Sequence, residues 1–296
     1  MSFRKNLSRP VHVALFILAV GCTRQTARAG GPSDYQAFVN KTAPALVTVK
    51  FVLKVQGSGG QRDIEREFTA VMIGPRGMVL CSSVQLGTSK LMRRFGGTAT
   101  PTDIKVLIGE DTEGVDAKLL ASDSDLDLSW LQIKEPREKG YVFVDFANSG
   151  TVPVGGALLT INRMDKFFDR APLLNVGRLG GKTRKPRELL LPSSGLDVTP
   201  GMPIFAEDCS TVGVVVIQSP DPEDTAANPG MAGQSTAALI LPSADVMKAT
   251  KQARETALES EEDDEGETES AQPSATSKPA GQGAGDESAT GLSTPE

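Results

Sequence analysis

The chain has 296 residues, enough for one or two domains with a sizeable core. Its 31 basic and 37 acidic residues give a net charge of -6, and its one histidine is His12. Beyond that position no imidazole exists, which excludes the commonest general base near neutral pH, every Ser-His or Cys-His nucleophile pair, and His-containing zinc sites.

In chain order, Arg4, Lys5 and Arg9 precede the apolar run VHVALFILAVGC, and Ala27 and Ala29, flanking Arg28, supply small residues at cleavage spacing. This pattern predicts a secretory signal peptide over residues 1–29, too short to span a bilayer and stay there. A rival processing at LAVGC makes Cys22 a lipidated N-terminus, with Ala19 rather than Leu three residues before it. Both readings predict export, periplasmic or extracellular, and only lipidation at Cys22 adds a membrane anchor. Residues 30–42 read as a linker.

From Ala45 the chain reads as β. ALVTVKFVLKV is β-branched and partly alternating, and REFTAVMIG follows the Gly-rich turn QGSGGQRD. Then come GMVLCSSVQL, DIKVLIG, AKLLASD, LDLSWLQI, GYVFVDFA, GALLTIN, LLNVGRLGG, RELLLP, MPIFAED, TVGVVVIQS and TAALILP. Short apolar runs separated by Gly, Pro, Asp and Asn turns predict an all-β domain, barrel or sandwich. Before the last run lies a long insertion, SPDPEDTAANPGMAGQS, of a length more often functional or disordered than a plain connector. One helix closes the domain: PSADVMKATKQARETALE, with Ser243 as N-cap and Val246, Met247 and Ala253 at helical spacing.

From Glu255 onward the chain is acidic and then rich in Ser, Ala, Gly, Pro and Thr. It has too little apolar surface to offset its ordering entropy, so residues 255–296 read as a disordered acidic tail, a solubilising segment or an interaction arm. Residues 1–29 hold 5 basic residues and the tail holds 1 basic and 12 acidic. Removing these leaves 25 of each sign in the middle, a neutral domain without the bulk basic field that nucleic acid requires. Cys81 and Cys209 remain after export; two cysteines make no disulfide framework, and whether they pair is open.

The order of these runs resembles the trypsin-like serine proteases, and in particular their HtrA branch, over about Ala43 to Ala253. VMIGPRGMVLCSSVQL is similar to the strand, turn and strand that end in T-N-x-H-V-V. AKLLASDSDLDLSWLQI is similar to a passage ending D-x-x-x-D-L-A-V-L-K-I. VPVGGALLTIN resembles the start of a second barrel, GMPIFAEDCSTVGVVVI the G-G-P-L turn and following strand, and LILPSADVMKATKQA the closing strand and helix. The resemblance implies two packed antiparallel six-stranded β-barrels over residues 43–254, chymotrypsin-like, divided near Glu135 to Lys139. The PDZ domain that usually follows the helix in this branch is replaced by the acidic tail.

Carried over one by one, the family's catalytic His falls on Val84, its Asp on Asp127, its nucleophilic Ser on Pro200, and the Gly that opens the oxyanion turn on Val198. Val84 has no lone pair and Pro200 neither hydroxyl nor N–H, so base, nucleophile and one oxyanion donor are missing together. Val198 disfavours the left-handed backbone that a Gly permits. Asp127, without a His to orient, is expected to accept structural hydrogen bonds, with Ser82 and Ser83 as candidate donors. Trp130 is expected in the core or between the barrels, and Cys81 as a small apolar packing residue.

One basic stretch is notable. Arg163, Lys166, Arg170, Arg178, Lys182, Arg184, Lys185 and Arg187 fall within 25 positions, either as solvated hairpin loops or as a patch for an anion, an acidic peptide or the chain's own tail. The functional expectation is an exported, non-catalytic protease-like domain that binds or scaffolds a peptide or protein, without cofactor or metal and without nucleic acid. Two alternatives stand beside it: an active hydrolase with a non-standard site such as a Ser-Lys pair, and a structural envelope protein unrelated to proteases.

Overall fold

The computed structural model describes residues 32–57, 60–89, 98–219 and 236–269. The predicted leader, with His12 and Cys22, lies outside them, as do most of the insertion before the last strand and the tail beyond residue 269.

Twelve strands form two closed antiparallel barrels. The first joins β1 (Leu46–Gly57), β2 (Gly60–Met72), β3 (Met78–Ser82), β6 (Leu128–Ile133), β5 (Val115–Asp123) and β4 (Thr98–Leu107) in that spatial order. The second joins β7 (Ala157–Arg163), β8 (Pro172–Lys182), β9 (Leu190–Pro192), β12 (Ala237–Pro242), β11 (Thr211–Gln218) and β10 (Pro203–Ala206). Both barrels therefore run first, second, third, sixth, fifth, fourth strand around the wall. This is the chymotrypsin-like double barrel that the resemblance implies. The closing pairs are β1 with β4 and β7 with β10.

The strands form where the sequence supplies β-branched residues whose alternate side chains fill an interior. β11, Thr211–Gln218, carries four valines and an isoleucine and is buried along most of its length. The second barrel closes on its own core, which includes Leu158, Leu179, Leu190, Ile204, Val215 and Ile240. A larger cluster fills the first barrel and continues across the interface through Leu159, Ile161, Phe205, Val214 and Leu241. Burial of this continuous apolar surface holds the two barrels face to face.

Three expectations change. GYVFVDFA does not form a strand. It is the extended connector between β6 and β7, tied to the first barrel by Tyr141 N to Pro75 O and Val144 N to Met72 O at 3.0 and 2.9 Å. Its alternation is real, with Val144 and Phe146 buried and Val142 exposed, but it joins no ladder. The expected barrel boundary near Glu135 to Lys139 falls in this same connector. The supposed linker 30–42 contains a helix, α1 (Pro32–Thr42), whose buried Phe38 packs edge-on against Phe205 with ring centroids 5.0 Å apart.

The closing helix, α3 (Ser243–Glu269), runs past the expected tail boundary at Glu255. Its buried face is Val246, Ala249, Thr250, Ala253 and Ala257, at helical spacing, so small residues carry the packing beyond Ala253 while Met247 faces solvent. Ser243 turns its hydroxyl onto Thr211 O at 2.8 Å. Trp130 lies fully buried, as expected. Its Nε1 donates to Thr250 Oγ1 at 3.0 Å, and that hydroxyl donates to Val246 O, which fastens α3 to the first barrel.

Arg163, at the end of β7, ties the second barrel to the chain entering the first. Its guanidinium donates to Ala43 O, Leu46 O and Arg170 O at 2.7 to 3.0 Å. Burial, with Arg170 nearby, lowers its pKa, but a guanidinium stays protonated throughout the usable pH range. Arg163→Ala is expected to cost about 3 kcal/mol, because three carbonyls lose a charged donor. Arg163→Lys should recover little of it, since an ammonium cannot reproduce the planar fork. Urea denaturation of the three proteins checks both statements.

Candidate functional site: the carboxylate between the barrels

The four positions carried over from the protease pattern lie on three elements. Val84 is in α2 (Ser83–Leu86), a single turn that follows β3. Asp127 immediately precedes β6 and takes a left-handed backbone, φ 59°. Val198 and Pro200 lie in the turn that leads into β10.

Asp127 is the centre of the arrangement. It is buried, and its Oδ1 accepts from Val84 N at 2.8 Å while Oδ2 accepts from Ile217 N at 2.8 Å. Ser82 Oγ donates to the same carboxylate, 2.8 Å from Oδ2 and 3.0 Å from Oδ1. The backbone is tied as well, Ser83 N donating to Asp127 O at 3.1 Å. Burial pushes the carboxyl above its usual range, against bonds from Ile217 N, Ser82 Oγ and Val84 N that favour the anion.

One carboxylate thus joins the end of β3, the start of β6 and the end of β11. Ile217 belongs to the second barrel, so Asp127 bridges the two domains. Of the two expected donors, Ser82 bonds it through its hydroxyl. Ser83 turns its own hydroxyl away, 2.9 Å from Ser129 Oγ and 3.3 Å from Ser122 Oγ, in a cluster completed by Thr88.

The Pro200 turn closes onto the same place. Gly201, with φ +83°, lies so near β3 that an added methyl would meet Ser82 N at 2.9 Å and Cys81 Cα at 3.4 Å. Only a residue without Cβ accepts both that dihedral and that contact. Gly201 N donates to Val215 O at 2.8 Å, Met202 N donates to Thr199 O, and Pro200 has no N–H. Val198 is not among the left-handed residues, and its side chain packs against the core of the second barrel. The barrel interface therefore brings the Val84 turn, Asp127 and the Pro200 turn together, although Asp127 stands 43 and 73 positions from Val84 and Pro200.

The chemistry within reach is limited. Cys81 is fully buried, and burial together with the Asp127 charge raises its thiol pKa, which disfavours the thiolate. Its Sγ faces Ser129 O at 3.5 Å. Cys81 and Cys209 are both unpaired, one buried and one exposed. Gln85 Oε1 is buried without a hydrogen-bond partner and lies close to Gly201, a feature that sequence reasoning passed over.

The basic residues do not assemble into one patch. Arg163, Lys166 and Arg170 lie at one end of β8, and Lys182, Arg184, Lys185 and Arg187 at the other. Ten residues of the strand separate the groups, roughly 30 Å at the usual rise, with Arg178 alone between them. Several are also engaged: Arg163 with carbonyls, Arg170 with Glu67 at 3.5 Å, and Lys182 with Glu188 at 3.2 Å. Adjacency in sequence across a hairpin strand placed them together only on paper.

No family model and no curated protein matches this chain.

Proposed function

We propose that the protein is a non-catalytic member of the HtrA-type serine proteases, an exported domain whose catalytic centre has become a structural joint between its barrels. The observation that carries this reading is that Asp127 joins the two barrels with no imidazole beside it. In a working triad this carboxylate holds an imidazole in its tautomer. Here Ser82 Oγ, Val84 N and Ile217 N occupy it, and the side chain at the base position is a valine. Pro200 supplies no nucleophile, and Gly201 N–H is bonded to Val215 O. What the double barrel retains is shape, a rigid surface suited to binding a peptide or protein.

A cysteine route is disfavoured, because Cys81 is inaccessible and its thiolate is destabilised. The purified protein is expected to give no turnover of peptide or ester substrates. Pro200→Ser alone is expected to stay inactive, because a serine without a base retains almost none of a triad's rate. Steady hydrolysis by the unmodified protein would refute the reading.

A further inference from the structure

We infer that the β7–β8 hairpin tip is a membrane-contact element that inserts two phenylalanines into the interface of a lipid bilayer. Phe167 is 83% exposed and Phe168 54%, and Met164 beside them is 38% exposed. Scattered apolar residues on a surface are ordinary, whereas two adjacent exposed aromatic rings at a hairpin tip are not.

The tip is built to present them. Asp165 accepts from Phe167 N through Oδ1 at 2.8 Å and from Phe168 N through its carbonyl at 2.9 Å. Met164 N to Ala171 O and Ala171 N to Phe168 O, both 3.0 Å, close the loop beneath. The two rings pack edge to face, centroids 5.1 Å apart, and so shield each other only partly.

Three properties favour a bilayer over a protein as occupant. Phe167 stands 83% exposed at a hairpin tip, so a rigid partner would need a matching hollow, whereas lipid conforms to it. Its charges balance, Lys166 and Arg170 against Asp165 and Asp169, so the contact depends on apolar insertion rather than on an anionic surface. The third property rests on reading Cys22 as a lipidated N-terminus. Arg163, at the base of the tip, holds Ala43 O, and from there α1 leads back over about 16 Å to Pro32. Ten further residues reach Cys22, at most about 35 Å of chain. A lipid on Cys22 and the tip can therefore meet one bilayer. No described helix is long and apolar enough to cross a membrane, so the contact of the folded domain is peripheral.

The test uses the full chain with phosphatidylcholine vesicles whose acyl chains are plain or brominated. Phe167→Trp introduces a reporter at the tip, while the native Trp130, 1% exposed, stays out of reach of the quencher. Val154→Trp, at a position 61% exposed on the connector before β7, serves as control. The expected result is that brominated lipid removes most of the emission added at 167 and leaves that at 154 unchanged. Added salt should not alter this, and Phe168→Asp in the Phe167→Trp chain should restore the emission. Equal emission with both lipids, equal quenching at 154 and 167, or a chain that does not float with vesicles would each overturn the proposal. A blue shift that needs no vesicles and grows with protein concentration would assign the tip to a second copy and overturn it as well. None of these outcomes bears on whether the protein hydrolyses peptides.

Discussion

Asp127→Ala is expected to lower the stability of the domain by about 3–5 kcal/mol, as when one partner is removed from a buried charged network. The substitution leaves Val84 N–H, Ile217 N–H and Ser82 Oγ without their acceptor in a largely buried site. Asp127→Asn should recover only part of the loss. An amide keeps one oxygen, and its NH2 then faces either Val84 N–H or Ile217 N–H, donor against donor. A purely catalytic aspartate deprived of its histidine would give a far smaller effect.

The pH dependence has a definite sign. Burial raises the folded-state pKa of Asp127 above its value in the unfolded chain, so the native state holds that proton more tightly. Its contribution to stability is fully present below the unfolded-state pKa and is lost as pH rises through the raised folded-state value. The gap in unfolding free energy between wild type and Asp127→Ala should therefore widen as pH falls through that value and level off below the ordinary aspartate range. Urea denaturation of the two proteins between neutral and acidic pH measures it. A gap that narrows on acidification would mean that the hydrogen bonds outweigh burial.

Rebuilding the triad is expected to need three changes rather than two. Val84→His supplies a base whose backbone N already bonds Asp127, and Pro200→Ser supplies hydroxyl and N–H. With Val198 anchored in the second barrel's core, the oxyanion turn stays where it is, and the double variant should show almost no labelling by a fluorophosphonate probe. Adding Val198→Gly frees the turn and should raise labelling by at least about a hundredfold, the scale of a single oxyanion donor. Equal labelling of double and triple variants would show that Val198 does not control the turn.

Local chemistry made the barrels legible. β-branched runs broken by Gly, Pro and Asp turns specify short strands wherever both neighbours exist to complete the ladder. The same rule failed for GYVFVDFA, whose alternation is that of a strand but whose neighbours offer it isolated bonds to Pro75 and Met72. α1 went unread because its eleven residues follow a Gly-Gly pair and bury Phe38 against Phe205, 167 positions away. The reach of α3 was hidden by its acidic composition, while Ala253 and Ala257 continued the packing face beneath it.

The site divides in the same way. That Val84 lacks a base and Pro200 a nucleophile is a matter of residue type and needs no coordinates. Ser82 was a foreseeable donor because it lies two residues from Val84. Ile217 was not, because it stands 90 positions from Asp127 and reaches it only through the packing of one barrel on the other. The basic patch failed for the converse reason: residues at the two ends of one strand are close in sequence and far apart in space.

The most direct test is fluorophosphonate labelling of the unmodified protein, followed by mass spectrometry of the product. The account predicts no adduct on any residue, because Pro200 has no hydroxyl and Val84 offers no base to activate a neighbouring one. An adduct on Ser82, Ser83 or another residue of this interface, lost when that residue is replaced by alanine, would contradict it.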